Sequence, residues 1–148
     1  LGINFEGIDL FYHNKAVADD KPEEGLESID KQIEILTSLA DGNEDNFILY
    51  SIEDLKSLEE IFEQMSSAWK IGNIEKLEEL FIRDIESDFP ELFKVIIVER
   101  NTSWMPEIEK FLQTPETEFV LVGVAHLVGE DGVLELLKKR GYKIEKLK

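Results

Sequence analysis

The chain has 148 residues, about the size of one ordinary domain, and 43% of them are hydrophobic, which excludes a disordered or fibrous protein. Its formal net charge is −17 and no basic stripe offsets it, so the composition argues against nucleic acid and anionic membranes as partners. The absence of cysteine excludes disulfides and thiolate metal sites. No apolar run approaches the roughly 18 residues that suggest a membrane helix.

The first forty residues predict two helices separated by a short, weak strand. The first helix has an apolar face and is expected to end at residues 19–20; the face comprises Ile8, Phe11, Tyr12 and Ala16. The weak strand is "EEGLE", which ends at Glu27. Ser28 is a suitable cap for the second helix, which should stop within "ADGN". The apolar stripe of that helix is Ile29, Ile33, Leu36 and Leu39.

The central part of the chain is predicted to be entirely helical. A helix starting at Ser51, with Asp54 as its capping-box partner, is expected to end at "IGN", and Asn73 should cap the next one. The stripe of the first is Leu55, Leu58, Ile61, Phe62, Met65, Ala68 and Trp69. Residues 92–98 permit either a helix or a buried strand, and helix is favoured. A last central helix carries Trp104, with Pro106 expected in its first turn.

The carboxyl-terminal part predicts a strand, a helix and a second strand. The apolar run Phe119–Val124 is typical of a strand covered on both faces, and the helix is expected to follow Gly132. Gly141 suits the end of that helix, and residues 142–147 alternate as in a strand. The predicted fold class is therefore α/β. We expect one helix-rich domain with a central all-helical segment and a small, mostly parallel sheet that ends in a βαβ unit.

His126 is the first candidate functional residue because it directly follows the predicted buried strand. Ligands bind in the crevice at the carboxyl edge of open α/β sheets. Gly123 and Gly129 on either side would allow a sharp turn or a close approach of the backbone to a ligand. His126 is then a metal ligand or a general acid or base, or alternatively a strand-end histidine bonded to the backbone.

Two further candidates are Glu27 and Arg100. If the weak first strand joins the same sheet, Glu27 points into the same crevice and either binds a metal or orients His126; alternatively it stabilises the start of the next helix. Arg100 follows an apolar segment and needs a carboxylate partner, for which Glu27 and Glu99 both qualify. It either binds a substrate carboxylate or phosphate, or forms a structural ion pair.

Several segments in this order resemble the TraB/PrgY/GumN family, which includes the animal Tiki proteins. They are "AWKIGN", "ERNTSW" and "GVAHLVGEDG", together with "GLES" and "KKRGYKI". The resemblance implies a divalent-metal site built from two Gly-x-x-His motifs and an acidic residue, with Mn²⁺, Co²⁺ or Zn²⁺ as the ion. It implies His126 and Glu27 as metal ligands and catalytic residues with Arg100, and Arg100 and Asn101 as substrate-binding residues.

What the resemblance implies about function is a metal-dependent hydrolase acting on a peptide or protein substrate. Tiki members are metal-dependent proteases, whereas PrgY and TraB members limit the activity of secreted peptide pheromones. The alternatives are a non-catalytic module that binds a peptide, and a half-domain without activity of its own.

The chain departs from the family pattern because it contains one Gly-x-x-His and not two. It is therefore expected to be the carboxyl-terminal part of a larger domain, with the other histidine upstream. A missing upstream segment would also place the protein outside the cytoplasm or at a membrane. The loss of neighbouring strands would expose a sheet edge through which two copies pair.

Overall fold

A computed structural model describes residues 7–38 and 44–147, and within these ranges every regular element is a helix. The longer ones are α1 (Ile8–Ala18), α2 (Ile29–Ser38) and α3 (Glu44–Ile71). A second group starts with α4 (Ile74–Glu78), continues through a π-helical turn (Glu79–Arg83) and ends with α5 (Asp84–Asp88). A third joins α6 (Pro90–Phe93), a second π-helical turn (Lys94–Val98) and α7 (Glu99–Phe111). A 3₁₀ turn (Val124–His126) and α8 (Val133–Lys139) follow.

The predicted parallel sheet and its βαβ unit are wrong for the described part of the chain. Residues 117–123 and 142–147, on either side of the turn and α8, have no regular secondary structure, and neither pairs with another described segment. An extended segment becomes a strand only when a neighbour takes up its backbone hydrogen bonds. Phe119 is 68% exposed, which also contradicts the prediction of a strand covered on both faces. The predicted pairing of copies through a sheet edge thereby loses its premise.

Several helix boundaries follow from local chemistry, as predicted. The hydroxyl of Ser28 accepts from the N–H of Lys31 at 3.2 Å, and Asn73 Oδ1 accepts from the N–H of Lys76 at 3.1 Å. α3 ends at Ile71 and is followed by Gly72, whose φ of +63° is the left-handed conformation that glycine adopts without strain. The N–H groups of Lys31 and Lys76 are therefore bonded by side chains three residues away in sequence.

Other boundaries were predicted wrongly. α3 begins at Glu44 rather than Ser51, and the side chain of Asp54 lies outside the description. The predicted stop of α2 in "ADGN" also lies outside the described residues. Residues 92–98 are helical, which confirms the favoured assignment; because this helical segment continues into α7, that helix starts earlier than predicted and Pro106 lies inside it and not in its first turn. There Pro106 cannot donate to the carbonyl oxygen four residues before it.

The described core consists of two apolar clusters that meet at the 3₁₀ turn. One joins α3, the α4–α5 segment and the turn before α7, and contains Ala68, Leu77, Ile82, Phe93, Ile97 and Val128. The other joins α7 and α8 and contains Trp104, Met105, Ile108, Val133 and Leu137. Residues 124–128 run between these clusters, so His126 is fixed by packing on both sides.

The predicted apolar stripes of α1 and α2 are not part of this core. Ile29 is 75% exposed, and Ile33, Leu36, Ile8 and Phe11 are also exposed. The stripe of α3 is buried or half-buried only at its carboxyl-terminal end, from Ile61 to Ala68. Periodicity thus identified the helices correctly, but it did not determine which of their faces are covered. Among the described residues, no helix is both long and apolar enough to cross a membrane.

Candidate functional site

The site is organised around α7, which supplies three of its five side chains. Arg100 and Trp104 are four residues apart and therefore lie on the same helical face, and Asn101 lies beside them. Glu27 reaches this face from the irregular segment before α2, and His126 from the 3₁₀ turn. The fold thus brings together all four residues that the sequence singled out, with Trp104 as a fifth.

Glu27 and Arg100 form a two-pronged ion pair. Arg100 Nη2 donates to Glu27 Oε1 at 2.7 Å, and Arg100 Nε donates to Glu27 Oε2 at 3.2 Å. The Glu27 side chain is 8% exposed and that of Arg100 is 23% exposed. The structure therefore selects Glu27, and not Glu99, as the carboxylate partner that the sequence required. Such a planar pair fixes the orientation of both groups.

Trp104 is the functional neighbour that sequence reasoning missed. Its side chain is buried, and its indole N–H donates to Glu27 Oε2 at 3.0 Å. Its ring lies 4.5 Å from the His126 ring and 5.0 Å from the Arg100 guanidinium carbon. Because a buried indole needs an acceptor, its position one helical turn after Arg100 was the available signal.

His126 is 8% exposed, and both of its ring nitrogens have polar neighbours. Nε2 lies 3.2 Å from Arg100 Nη1, and Nδ1 lies 2.8 Å from Asn101 Oδ1. A guanidinium can only donate, and an amide oxygen can only accept. The hydrogen-bond pattern therefore requires a neutral ring with the proton on Nδ1 and the lone pair on Nε2.

The electrostatics of the site agree with this protonation state. Burial, together with the positive charge of Arg100, lowers the pKa of His126 to about 4, against a smaller opposing effect of Glu27. Burial alone would raise the pKa of Glu27. Hydrogen bonds from Arg100 and Trp104, the charge of Arg100, and a bond to Gln32 together outweigh that effect, so the pKa lies below its ordinary value. At neutral pH the site holds a carboxylate, a guanidinium and an uncharged imidazole.

The two flanking glycines differ in what the backbone requires of them. Gly129 has a φ of +84°, a conformation that other residues adopt only with strain. Gly123 has φ −58° and ψ 143°, which any residue can adopt, and an added Cβ would meet its nearest atom, in the His126 ring, at an ordinary 3.8 Å. The expected sharp turn is therefore made at Gly129 and not at Gly123.

Glu27 and His126 are of the residue types that bind a divalent cation, but the described residues place too few such groups together to hold one. A carboxylate and an unprotonated Nε2 are suitable ligands for Mn²⁺, Co²⁺ or Zn²⁺. Within residues 7–38 and 44–147, however, no group of three or more His, Asp or Glu side chains is arranged to hold an ion. Both donors also accept hydrogen bonds from Arg100. The described residues therefore do not form a complete metal site.

The family model for the TraB/PrgY/gumN family matches residues 1–146 of this sequence. The chain belongs to this family. The chain is also similar to a protein named metalloprotease TIKI homolog from Amphimedon queenslandica, and the two sequences are 31% identical over 125 residues. That match covers 79% of this chain and 24% of the relative, so this TraB-family chain spans about a quarter of the relative's length. No solved structure is significantly similar to this chain.

Proposed function

We propose that this TraB-family chain contributes part of a metal-dependent, peptidase-like hydrolase site, with His126 and Glu27 as donors to a divalent ion. The proposal rests on one observation above all: the fold buries a carboxylate and an unprotonated imidazole nitrogen around the same guanidinium. The likeness to a protein named as a metalloprotease supports the choice of chemistry. The substrate would be a peptide or protein, and further ligands would come from outside the described residues.

In this proposal, the protonation states of Glu27 and His126 determine what each side chain can bind. Glu27 is ionised and His126 is neutral at physiological pH, so both are ready to accept a cation or a proton. A bound ion would lower the pKa of a water molecule and polarise the carbonyl group of a peptide bond. Arg100 would then serve as a positive group near developing negative charge, the role in substrate or transition-state binding expected from the sequence.

Arg100 places one condition on this function. The single lone pair of His126 Nε2 accepts from Arg100 Nη1, and one lone pair binds one partner. For His126 to take a cation or a proton at Nε2, Arg100 must withdraw that N–H. Because the guanidinium is planar and rigid, this withdrawal would also disturb its bonds to Glu27 and to the carbonyl oxygen of Ile96.

The test compares the full-length parent protein with its His126→Ala, Glu27→Gln and His13→Ala variants. Peptide cleavage is measured with Mn²⁺, Co²⁺ or Zn²⁺ and with a chelator. We expect the first two variants to lose at least about 100-fold in kcat/KM, as for removal of a metal ligand or its partner. His13 is the matched control because it lies on α1 with a side chain that is 54% exposed, and its variant should retain full activity.

A non-catalytic, peptide-binding module is the second candidate, and the hydrogen bonds that Arg100 donates to both Glu27 and His126 favour it. It predicts that the parent protein binds peptide equally well with metal and with chelator and cleaves none. Unchanged cleavage in the His126→Ala protein would contradict the metal-dependent hydrolase, and metal-independent binding without cleavage would establish the alternative.

A further inference from the structure

We propose that Asn101 is a positioning residue that holds His126 in the tautomer with its proton on Nδ1 and its lone pair on Nε2. The proposal deepens the proposed function, on which its importance for chemistry rests. The tautomer itself is a property of this chain and can be measured without activity. It also replaces the substrate-binding role expected for Asn101, because the residue is fully buried and its surface is not available to a substrate.

The orientation of the Asn101 amide follows from its own hydrogen bonds. Nδ2 donates to the carbonyl oxygen of Asp131 at 2.7 Å and to that of His126 at 3.2 Å. These two acceptors use both amide hydrogens. Reversing the amide would place its oxygen against two carbonyl oxygens and lose both bonds. Oδ1 must therefore be the atom that faces His126 Nδ1, at 2.8 Å.

An amide oxygen that faces a ring nitrogen demands a hydrogen on that nitrogen. With the proton on Nε2 instead, Nδ1 and Asn101 Oδ1 would place two lone pairs against each other in a buried site, which is costly. The same tautomer would also direct the Nε2 hydrogen at Arg100 Nη1, which can only donate. The two ends of the ring thus favour the same tautomer, and Asn101 determines it at the buried end.

Asn101 also fixes the segment that carries the ring. Its two carbonyl acceptors are five residues apart, at either end of the turn between the 3₁₀ helix and α8. The side chain of one helix residue thereby ties both ends of this turn to α7. Because the ring bond and the two backbone bonds come from one amide, the position and the tautomer of His126 are determined together.

The direct test is the ¹⁵N spectrum of the His126 imidazole in the metal-free chain at about pH 8.5, where that ring is neutral and shows its tautomer. Nitrogen shifts separate a protonated nitrogen from one with a lone pair. A His13→Ala variant identifies the His126 signals, since the chain has two histidines. We expect His126 to populate the Nδ1-protonated form by at least about tenfold over the other, the effect of one well-made hydrogen bond. A majority of the Nε2-protonated form in the wild-type chain overturns the proposal.

Two substitutions at Asn101 separate positioning from a merely structural role. Asn101→Leu has nearly the same shape but no acceptor, so the tautomer excess should fall by about tenfold or more. Asn101→Asp keeps an acceptor for Nδ1 while losing both backbone bonds, and it should restore the excess. Asn73→Ala is the control, because it removes a helix cap that bonds the N–H of Lys76 and touches neither hydrogen bond of the His126 ring, so it should leave the tautomer unchanged.

A third variant keeps the test decisive if Asn101→Leu does not fold. The Glu27→Gln/Arg100→Met double variant removes the ion pair as a unit and leaves Asn101 as the neighbour of the ring that dictates the proton position. The Nδ1 form should persist in this protein, and an even mixture would show that Arg100 and not Asn101 sets the tautomer. Loss of the tautomer preference overturns the inference, whereas full activity of His126→Ala overturns the proposed function and leaves the inference standing.

Discussion

Arg100 and Glu27 are 73 residues apart in sequence, yet two parallel hydrogen bonds of 2.7 and 3.2 Å join them beneath the surface. This pair forms one side of the candidate site. The hydrogen bond from Arg100 to His126 links the pair to the 3₁₀ turn. The irregular segment that carries Glu27 has no regular structure to hold it. Side-chain contacts hold it instead, and the Glu27 pair is one of them, beside the packing of Leu26 against the cluster around Trp104.

The ion pair should behave as a partly buried one in a double-mutant cycle. Arg100→Met leaves the Glu27 carboxylate buried without its counter-charge, so the free energy of unfolding should fall by about 3 kcal/mol. The Glu27→Gln/Arg100→Met double variant should lose less than the sum of the two single losses, because no unpaired charge remains. Denaturant unfolding of the four proteins measures this coupling.

An exposed ion pair provides the control for that cycle. Lys110 and Glu107 are also bonded, but the Lys110 side chain is 62% exposed. Lys110→Met should change the free energy of unfolding far less than Arg100→Met does. Equal losses for Arg100→Met and Lys110→Met would show that burial of the Glu27 pair contributes nothing.

Trp104→Phe tests the indole N–H separately from the ring. Phenylalanine retains an aromatic side chain against His126 but removes the donor to Glu27 Oε2. We expect the pKa of Glu27 to rise from its lowered value, and the free energy of unfolding to fall by about 2 kcal/mol. A ¹³C titration of the Glu27 carboxyl group measures the first effect.

Trp69→Phe is the matched control, because Trp69 is 66% exposed at the end of α3. It should alter the free energy of unfolding by less than about 0.5 kcal/mol and leave the Glu27 titration unchanged. If Trp104→Phe also left that titration unchanged, the indole bond would have no electrostatic effect on the carboxylate.

The stability of the domain should fall on acidification through a range set by His126. Its pKa is about 4 in the folded chain and 6.5 in the unfolded one, so the unfolded chain binds more protons between these values. The stabilisation is complete above pH 6.5 and is lost as the pH falls to about 4, a change of roughly 2–3 kcal/mol. Glu27 acts in the same direction, since its lowered pKa gives stability that is lost as the pH falls below 4.5.

Chemical denaturation at a series of pH values, with an NMR titration of His126, checks this dependence. His126→Gln cannot take up a proton, so the slope of stability between pH 6.5 and about 4 should be smaller in that variant. A folded-state pKa at or above 6.5 for His126 would contradict the buried, neutral ring.

Gly132→Ala should be destabilising because of the turn before α8. A Cβ at Gly132 would lie 2.5 Å from the carbonyl oxygen of Val128 and 2.6 Å from that of Leu127. Backbone atoms must shift to relieve such contacts, at a cost of about 2–3 kcal/mol in the free energy of unfolding. Thermal unfolding of Gly132→Ala and of the control Gly123→Ala measures the difference.

The control should change little, because the Gly123 backbone suits any residue and an added Cβ meets nothing closer than 3.8 Å. A loss of more than about 1 kcal/mol in Gly123→Ala would indicate packing against this glycine that the described residues do not account for. Equal losses in both proteins would contradict the crowding at Gly132.

Much of the helical structure could be predicted because its signals are local. Ser28 and Asn73 cap helices through side chains only three residues from the N–H groups they bond, and Gly72 ends α3 through its own backbone freedom. Strand formation is different, because it requires a partner segment. The run at residues 119–123 has a strand's composition, but its hydrogen-bond partners cannot be known from those residues.

The sequence identified His126, Glu27 and Arg100 from their positions, and the resemblance to the family added Asn101 and joined the four residues into one expected site. Only the tertiary structure decided that Glu27 pairs with Arg100, that Trp104 donates to the same carboxylate, and that Asn101 faces the ring instead of a substrate. The physical reason is that hydrogen bonds are directional, so each one forms only when its donor and its acceptor point at each other. That direction is set by packing between segments as far apart as residues 27 and 104, which no local pattern contains.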